Sequence, residues 1–164
     1  GGENVDWDTL TDAAKGPVAV LGVGNDLRGD DGAGSIVARA LVERFPNGVF
    51  DGGQAPENYL GPLRRSGAET VLLVDAADFG GEPGEVRLLE AEDVDGAGIA
   101  THAAPLGMLM RALSEELGVR TLLLAVQAGQ TGLGDPMSGD VQTACEKIIE
   151  RLSRVLATRS EGAP

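Results

Sequence analysis

The chain has 164 residues, with 13 Lys and Arg against 26 Asp and Glu, a formal charge of −13. Such an acidic excess repels a phosphate backbone and an anionic lipid surface, which excludes nucleic-acid binding and peripheral membrane binding. No apolar run reaches the ~18 residues that span a bilayer, no basic start with an apolar stretch marks a signal peptide, and the single cysteine, Cys145, forbids an internal disulfide; one cytoplasmic, monomeric domain with an aliphatic core is expected.

Residues 1–16 are polar and begin Gly-Gly, which reads as a loose or appended N-terminal segment. Residues 17–157 form the expected domain and 158–164 a polar tail. Pro17 to Val23 is a continuous apolar run suited to a strand buried on both faces. A Gly- and Asp-rich loop from Gly24 to Gly32 follows, then Ile36, Val37, Ala40 and Leu41 at helical spacing, stopped by Pro46. Val49-Phe50 reads as a brief strand, Glu57 to Ser66 as a short helix, and Thr70 to Asp75 as a buried strand. Pro83-Gly84 is a turn before the alternating segment Glu85 to Leu89. A loop is expected up to His102. Leu106, Leu109, Met110, Leu113 and Leu117 mark an amphipathic helix ended by Gly118. Arg120 to Val126 is another buried strand, and Val141 to Leu156 a long final helix. Strands alternating with helices predict an α/β fold, a three-layer α/β/α sandwich on a mostly parallel sheet of about five strands. In such sheets ligands bind beyond the carboxyl ends of the strands.

Several chemistries fail at the residue level. Gly22-Val23-Gly24 follows a strand as a dinucleotide fingerprint would, but position 27 is Leu, and Asp26, Asp30 and Asp31 would confront a pyrophosphate with negative charge. There is no G-x-S-x-G, C-x-x-C or H-E-x-x-H, and Cys145 falls on the apolar stripe of the last helix, a core position. Three residues at loop positions remain. Asp31 closes the first loop. Asp75 ends the central strand, where an unpaired buried carboxylate is costly; it either organises the following loop or belongs to a site. His102, the only histidine, is structural or a ligand, and sits among small residues just before a helix. Two carboxylates and one imidazole make a set suited to Zn, Ni, Fe or Mn with positions left open.

The chain resembles the hydrogenase maturation endopeptidases in seven segments that occur in the family's order. These are Gly22-Val23-Gly24-Asn25, Gly29-Asp30-Asp31-Gly32-Ala33-Gly34, Asp51 to Asn58, Val74-Asp75-Ala76-Ala77-Asp78, Pro83 to Arg87, Thr101-His102 and Pro136-Met137-Ser138. The Ala-Pro-Glu-Asn segment and the Gly-Asp-Asp-Gly-Ala-Gly loop are most similar to the branch serving formate-hydrogenlyase-type hydrogenases. The resemblance implies a single α/β domain that removes the C-terminal extension from a nickel-iron hydrogenase large-subunit precursor after nickel insertion. It also implies Asp31, Asp75 and His102 as the catalytic and metal-contacting residues. The nickel would be carried by the precursor, and the free protein would hold a divalent ion such as Ni, Zn or Cd only weakly. Ala125-Val126-Gln127-Ala128 replaces the family's Gly-Ile-Gln-Pro, and Ala103-Ala104 replaces an Asn that often follows the His. A non-proteolytic module that docks on a nickel-enzyme precursor and an α/β nucleotide or phosphate binder are the alternatives.

Overall fold

The computed structural model describes residues 4–96, 99 and 105–161. Five strands, β1 (Val18–Val23), β2 (Val49–Gly53), β3 (Thr70–Ala77), β4 (Val86–Leu89) and β5 (Arg120–Gln127), form one sheet in the order β2-β1-β3-β5-β4. All neighbours are parallel except β4, which runs antiparallel to β5, with Val86 opposite Val126 and Leu89 opposite Leu123. The three interior strands are buried almost throughout, as expected of parallel strands covered by helices on both faces.

Alternation of side chains divides the core into two layers. Val18 and Val20 of β1, Leu72, Val74 and Ala76 of β3, and Leu122, Leu124 and Val126 of β5 pack under α1 (Trp7–Ala13), α2 (Ala33–Val42) and α6 (Gly139–Glu161). Ala19, Leu21 and Val23, Val71, Leu73 and Ala77, and Leu123 and Ala125 face α3 (Leu60–Arg65), α4 (Ala91–Gly96) and α5 (Leu106–Leu117). The α/β/α sandwich on a five-stranded, mostly parallel sheet is the architecture read from the sequence. Among the described residues no helix is long and apolar enough to cross a membrane.

Four local expectations need correction. The segment read as loose is folded from Asn4 onward. Asp6 caps α1 by accepting from the Asp8 amide at 3.0 Å, Leu10 and Ala14 are fully buried, and the Asn4 side chain accepts from the Val86 amide at 2.8 Å on the outer edge of β4. At the other end α6 continues to Glu161, into the expected tail. The helix expected over Glu57 to Ser66 is a 3-10 turn, Pro56–Tyr59, leading into α3. The loop expected to run to His102 begins with α4, where the Asp93 carboxylate accepts from the Glu90 amide at 2.8 Å while Ala91 and Val94 reach the core. This is one half of a capping box, the Glu90 side chain accepting instead from Arg120 at 2.9 Å.

Candidate active site

The carboxyl ends of β1, β3 and β5 share one edge of the sheet, and the loops leaving them are held together there. The approach of α2 to this edge depends on two glycines. A Cβ on Gly34 would stand 2.0 Å from the Val74 carbonyl oxygen and 2.2 Å from that of Val23; one on Gly22 would stand 2.2 Å from the Gly34 carbonyl oxygen. The backbone at the start of α2 therefore lies directly on the ends of β1 and β3, a contact no side chain permits.

Between β1 and α2 the chain forms a loop closed by its own hydrogen bonds. The Asn25 amide donates to the Asp31 carbonyl at 3.0 Å, the Asp31 amide to the Arg28 carbonyl at 3.1 Å, and the Leu27 amide to the Asn25 side chain at 3.0 Å. A 3-10 turn, Gly29–Gly32, then carries Asp30 and Asp31 into the protein, where they are 0% and 3% exposed.

The two aspartates do different things. Asp30 Oδ2 accepts from the amides of Gly129 (2.7 Å) and Gln130 (2.9 Å), and its Oδ1 from the amide of Ser138 (2.7 Å) and its hydroxyl (3.1 Å). One carboxylate thus fastens the loop after β5 to the loop after β1. Gly29, at φ +54, packs against the Gln130 and Pro136 carbonyls in the same junction. In the sequence Asp30 is marked only as one of two adjacent acids in a Gly-flanked turn, which cannot both point the same way.

Asp31 is coupled to the second predicted residue. Asp75 lies on β3 opposite Ala125 of β5, on the sheet face that carries α3, α4 and α5, and is 3% exposed. Its Oδ2 is buried with no hydrogen-bond partner among the described residues. Burial pushes the Asp75 carboxyl well above the ordinary carboxylate range; a hydrogen bond from the Ala76 backbone opposes this, and the negative charge of Asp31 adds to it. Two buried acids in one field favour either a shared proton or an incoming cation. Hard or borderline first-row ions suit such oxygen donors.

The third predicted residue, His102, lies outside the described residues. The helix that follows it in sequence, α5, packs on the face toward which Asp75 points. Among the described residues no group of three His, Cys, Asp or Glu could hold a metal ion. Asp31 and Asp75 lie near enough at this edge for the charge of Asp31 to act on Asp75.

The exit of β5 carries Gln127, the one position of Ala125-Val126-Gln127-Ala128 that keeps the residue of Gly-Ile-Gln-Pro. The Gln127 side-chain oxygen accepts from the amides of Phe79 (2.9 Å) and Gly81 (3.1 Å), and its nitrogen donates to Asp78 Oδ1 (3.3 Å) and the Ala128 carbonyl (2.9 Å). It ties the loop after β3 to that after β5. Asp78 is exposed and also accepts from the Gly80 amide at 3.1 Å.

A family model for a hydrogenase maturation protease, HycI, matches residues 37–155. The chain is 36% identical over 137 residues to the hydrogenase 3 maturation protease of Escherichia coli K12, covering 81% of this chain and 86% of that one. Among solved structures, the NiFe hydrogenase maturation protease HycI of Thermococcus kodakarensis KOD1 superimposes with a TM-score of 0.82 at 32% identity, over 91% of this chain and 99% of that one. A crystal structure of a hydrogenase 3 maturation protease gives 0.71 at 35% identity, over 85% and 91%.

Proposed function

This chain belongs to the hydrogenase maturation proteases, and we propose that it removes the C-terminal extension of a nickel-iron hydrogenase large-subunit precursor once nickel has been inserted, reading that nickel through Asp31, Asp75 and His102. The observation that supports this reading is the coupled burial of Asp31 and Asp75 at the carboxyl edge of the sheet, with an oxygen of Asp75 left without a donor among the described residues.

Two carboxylates and an imidazole are an incomplete shell. Ligands that the precursor already places on its nickel complete it, so a precursor without metal docks poorly, and the metal acts as a checkpoint carried by the substrate. Free Ni, Zn or Cd is held weakly by the same three residues. Docking brings the peptide bond to the carboxylate pair. Water adds to its carbonyl carbon, a carboxylate takes the proton that water loses, and the proton passes to the nitrogen as the bond to carbon breaks. Asp75 fits the proton-carrying role, being buried near Asp31 with its affinity for a proton raised by that burial. Asp78 fits it less well, being exposed and engaged by Gln127 and Gly80. The protein works in the cytoplasm as a monomer.

The test offers precursor with and without nickel to protease that has been stripped with chelator and then freed of it. Cleavage of the nickel-loaded precursor alone is expected. Equal cleavage of the nickel-free precursor overturns the checkpoint, and activity lost on stripping but restored by zinc alone identifies a protease with its own ion.

A further inference from the structure

Among the described residues the large hydrophobic side chains that stay exposed are Leu27, Met108 and Leu133, at 64%, 65% and 71%. Scattered surface leucines need no explanation, but these three share one end of the molecule. Leu27 lies in the loop after β1, four positions before Asp31. Leu133 lies in the loop after β5. Their backbones are joined, the Gly134 amide donating to the Leu27 carbonyl at 2.8 Å. Met108 is in the first turn of α5, which runs back toward the start of β5 and so begins at the carboxyl edge. The leucines lie in the loops that lead toward α2 and α6, and Met108 on α5, which packs on the opposite face of the sheet.

The leucines are held outward by built turns. The Leu27 amide is bound by Asn25, the Gly132 amide donates to Asp135 Oδ2 at 2.9 Å, the Gln130 side chain donates to the Pro136 carbonyl at 2.7 Å, and Asp30 pins the base of both loops. A loop free to rearrange would bury such residues; this pair is denied that by its own hydrogen bonds.

We propose that Leu27 and Leu133, with Met108 across the edge, form the docking surface for an apolar stretch of the precursor's C-terminal extension, gripping it on both sides of the bond presented to Asp31 and Asp75. This rests on the protease reading above. The occupant is a chain that crosses the carboxyl edge, because the leucines are continuous with the loop that carries Asp31. Charge selects the same occupant. A second copy of this chain would bring another −13 to the contact, whereas a segment of neutral or basic character meets exposed Asp135 beside Leu133, the nearby Asp26 being paired with Arg39 at 2.9 Å.

The experiment measures cleavage of nickel-loaded precursor by wild type, Leu27→Ser/Leu133→Ser, Leu27→Met/Leu133→Met and Met108→Ser, with thermal unfolding alongside. The double serine variant should raise KM at least about tenfold with kcat within about twofold, the double methionine variant should keep the wild-type KM, and Met108→Ser should raise KM independently. A wild-type KM in both serine-bearing variants overturns the docking surface while leaving the protease reading intact. Wild-type protein that does not cleave the precursor at all overturns the protease reading, and the docking proposal with it.

Discussion

Asp30→Ala should be among the most damaging single substitutions in the described chain, although it replaces neither Asp31 nor Asp75. The Asp30 carboxylate receives three backbone amides and one hydroxyl, all within 3.1 Å, and is fully buried. Alanine leaves the amides of Gly129, Gln130 and Ser138 without an acceptor; the Ser138 hydroxyl can turn elsewhere. Each stranded amide costs about 1–2 kcal/mol, toward the lower end of the usual range because water can enter a junction of surface loops. Three amides together give about 3–6 kcal/mol, a large fraction of the roughly 5–15 kcal/mol that holds a domain folded. Asp30→Asn keeps one acceptor oxygen but turns an NH2 toward donors, and should cost about 2–4 kcal/mol. Urea unfolding followed by far-UV circular dichroism reads both, with the midpoint falling and the slope unchanged. A loss below about 1 kcal/mol for Asp30→Ala would refute the reasoning and show that the two loops hold together without this carboxylate.

Asp31→Asn and His102→Ala should each abolish precursor cleavage with the melting temperature within a few degrees of wild type; full cleavage by either removes that residue from the mechanism. In the metal-free protein, Asp75→Asn should stabilise the fold in a pH-dependent way. The folded-state carboxyl of Asp75 lies well above its ordinary value of 3.8, so wild type loses stability as pH rises from about 3.8, where the unfolded chain ionises and the folded one does not, up to the folded-state value, after which the loss is constant. The gain from asparagine should be absent below pH 3.8 and grow above it, and a gain that shrinks with rising pH would contradict the sign. Gly34→Ala puts a methyl group within 2.2 Å of two carbonyl oxygens and should cost about 3 kcal/mol or more by urea unfolding; a neutral result would show that α2 can lift from the strand ends. Burial pushes the Cys145 thiol up to about 12, with the charges of Asp30 and Glu146 adding to it, so a disulfide reagent at pH 8 should label it only on unfolding, and rapid labelling of the native protein would contradict its burial.

Much of the architecture is decided locally and is legible in the residues. The runs Val18 to Val23, Thr70 to Val74 and Thr121 to Val126 are too evenly apolar for one-sided strands, so a parallel sheet covered on both faces follows from them alone. The stripes of α5 and α6, and the place of Asp75 at a strand end, follow in the same way, because each depends on a residue and its near neighbours. The ordered residues at the N-terminus are illegible for the opposite reason: Val5, Trp7, Leu10, Ala13 and Ala14 are scattered among Gly, Asp and Thr, and only the packing of α1 on the sheet layer beneath it makes Leu10 and Ala14 core. Sequence also places Asp30 and Asp31 side by side without distinguishing them. Tertiary structure does so, because Asp30 meets amides up to 108 residues away along the chain while Asp31 shares its field with Asp75. Whether a buried carboxylate holds a fold together or is left for a ligand depends on which donors the packed chain brings to it. That is a property of long-range contacts, and no periodicity or motif in the neighbouring residues encodes it.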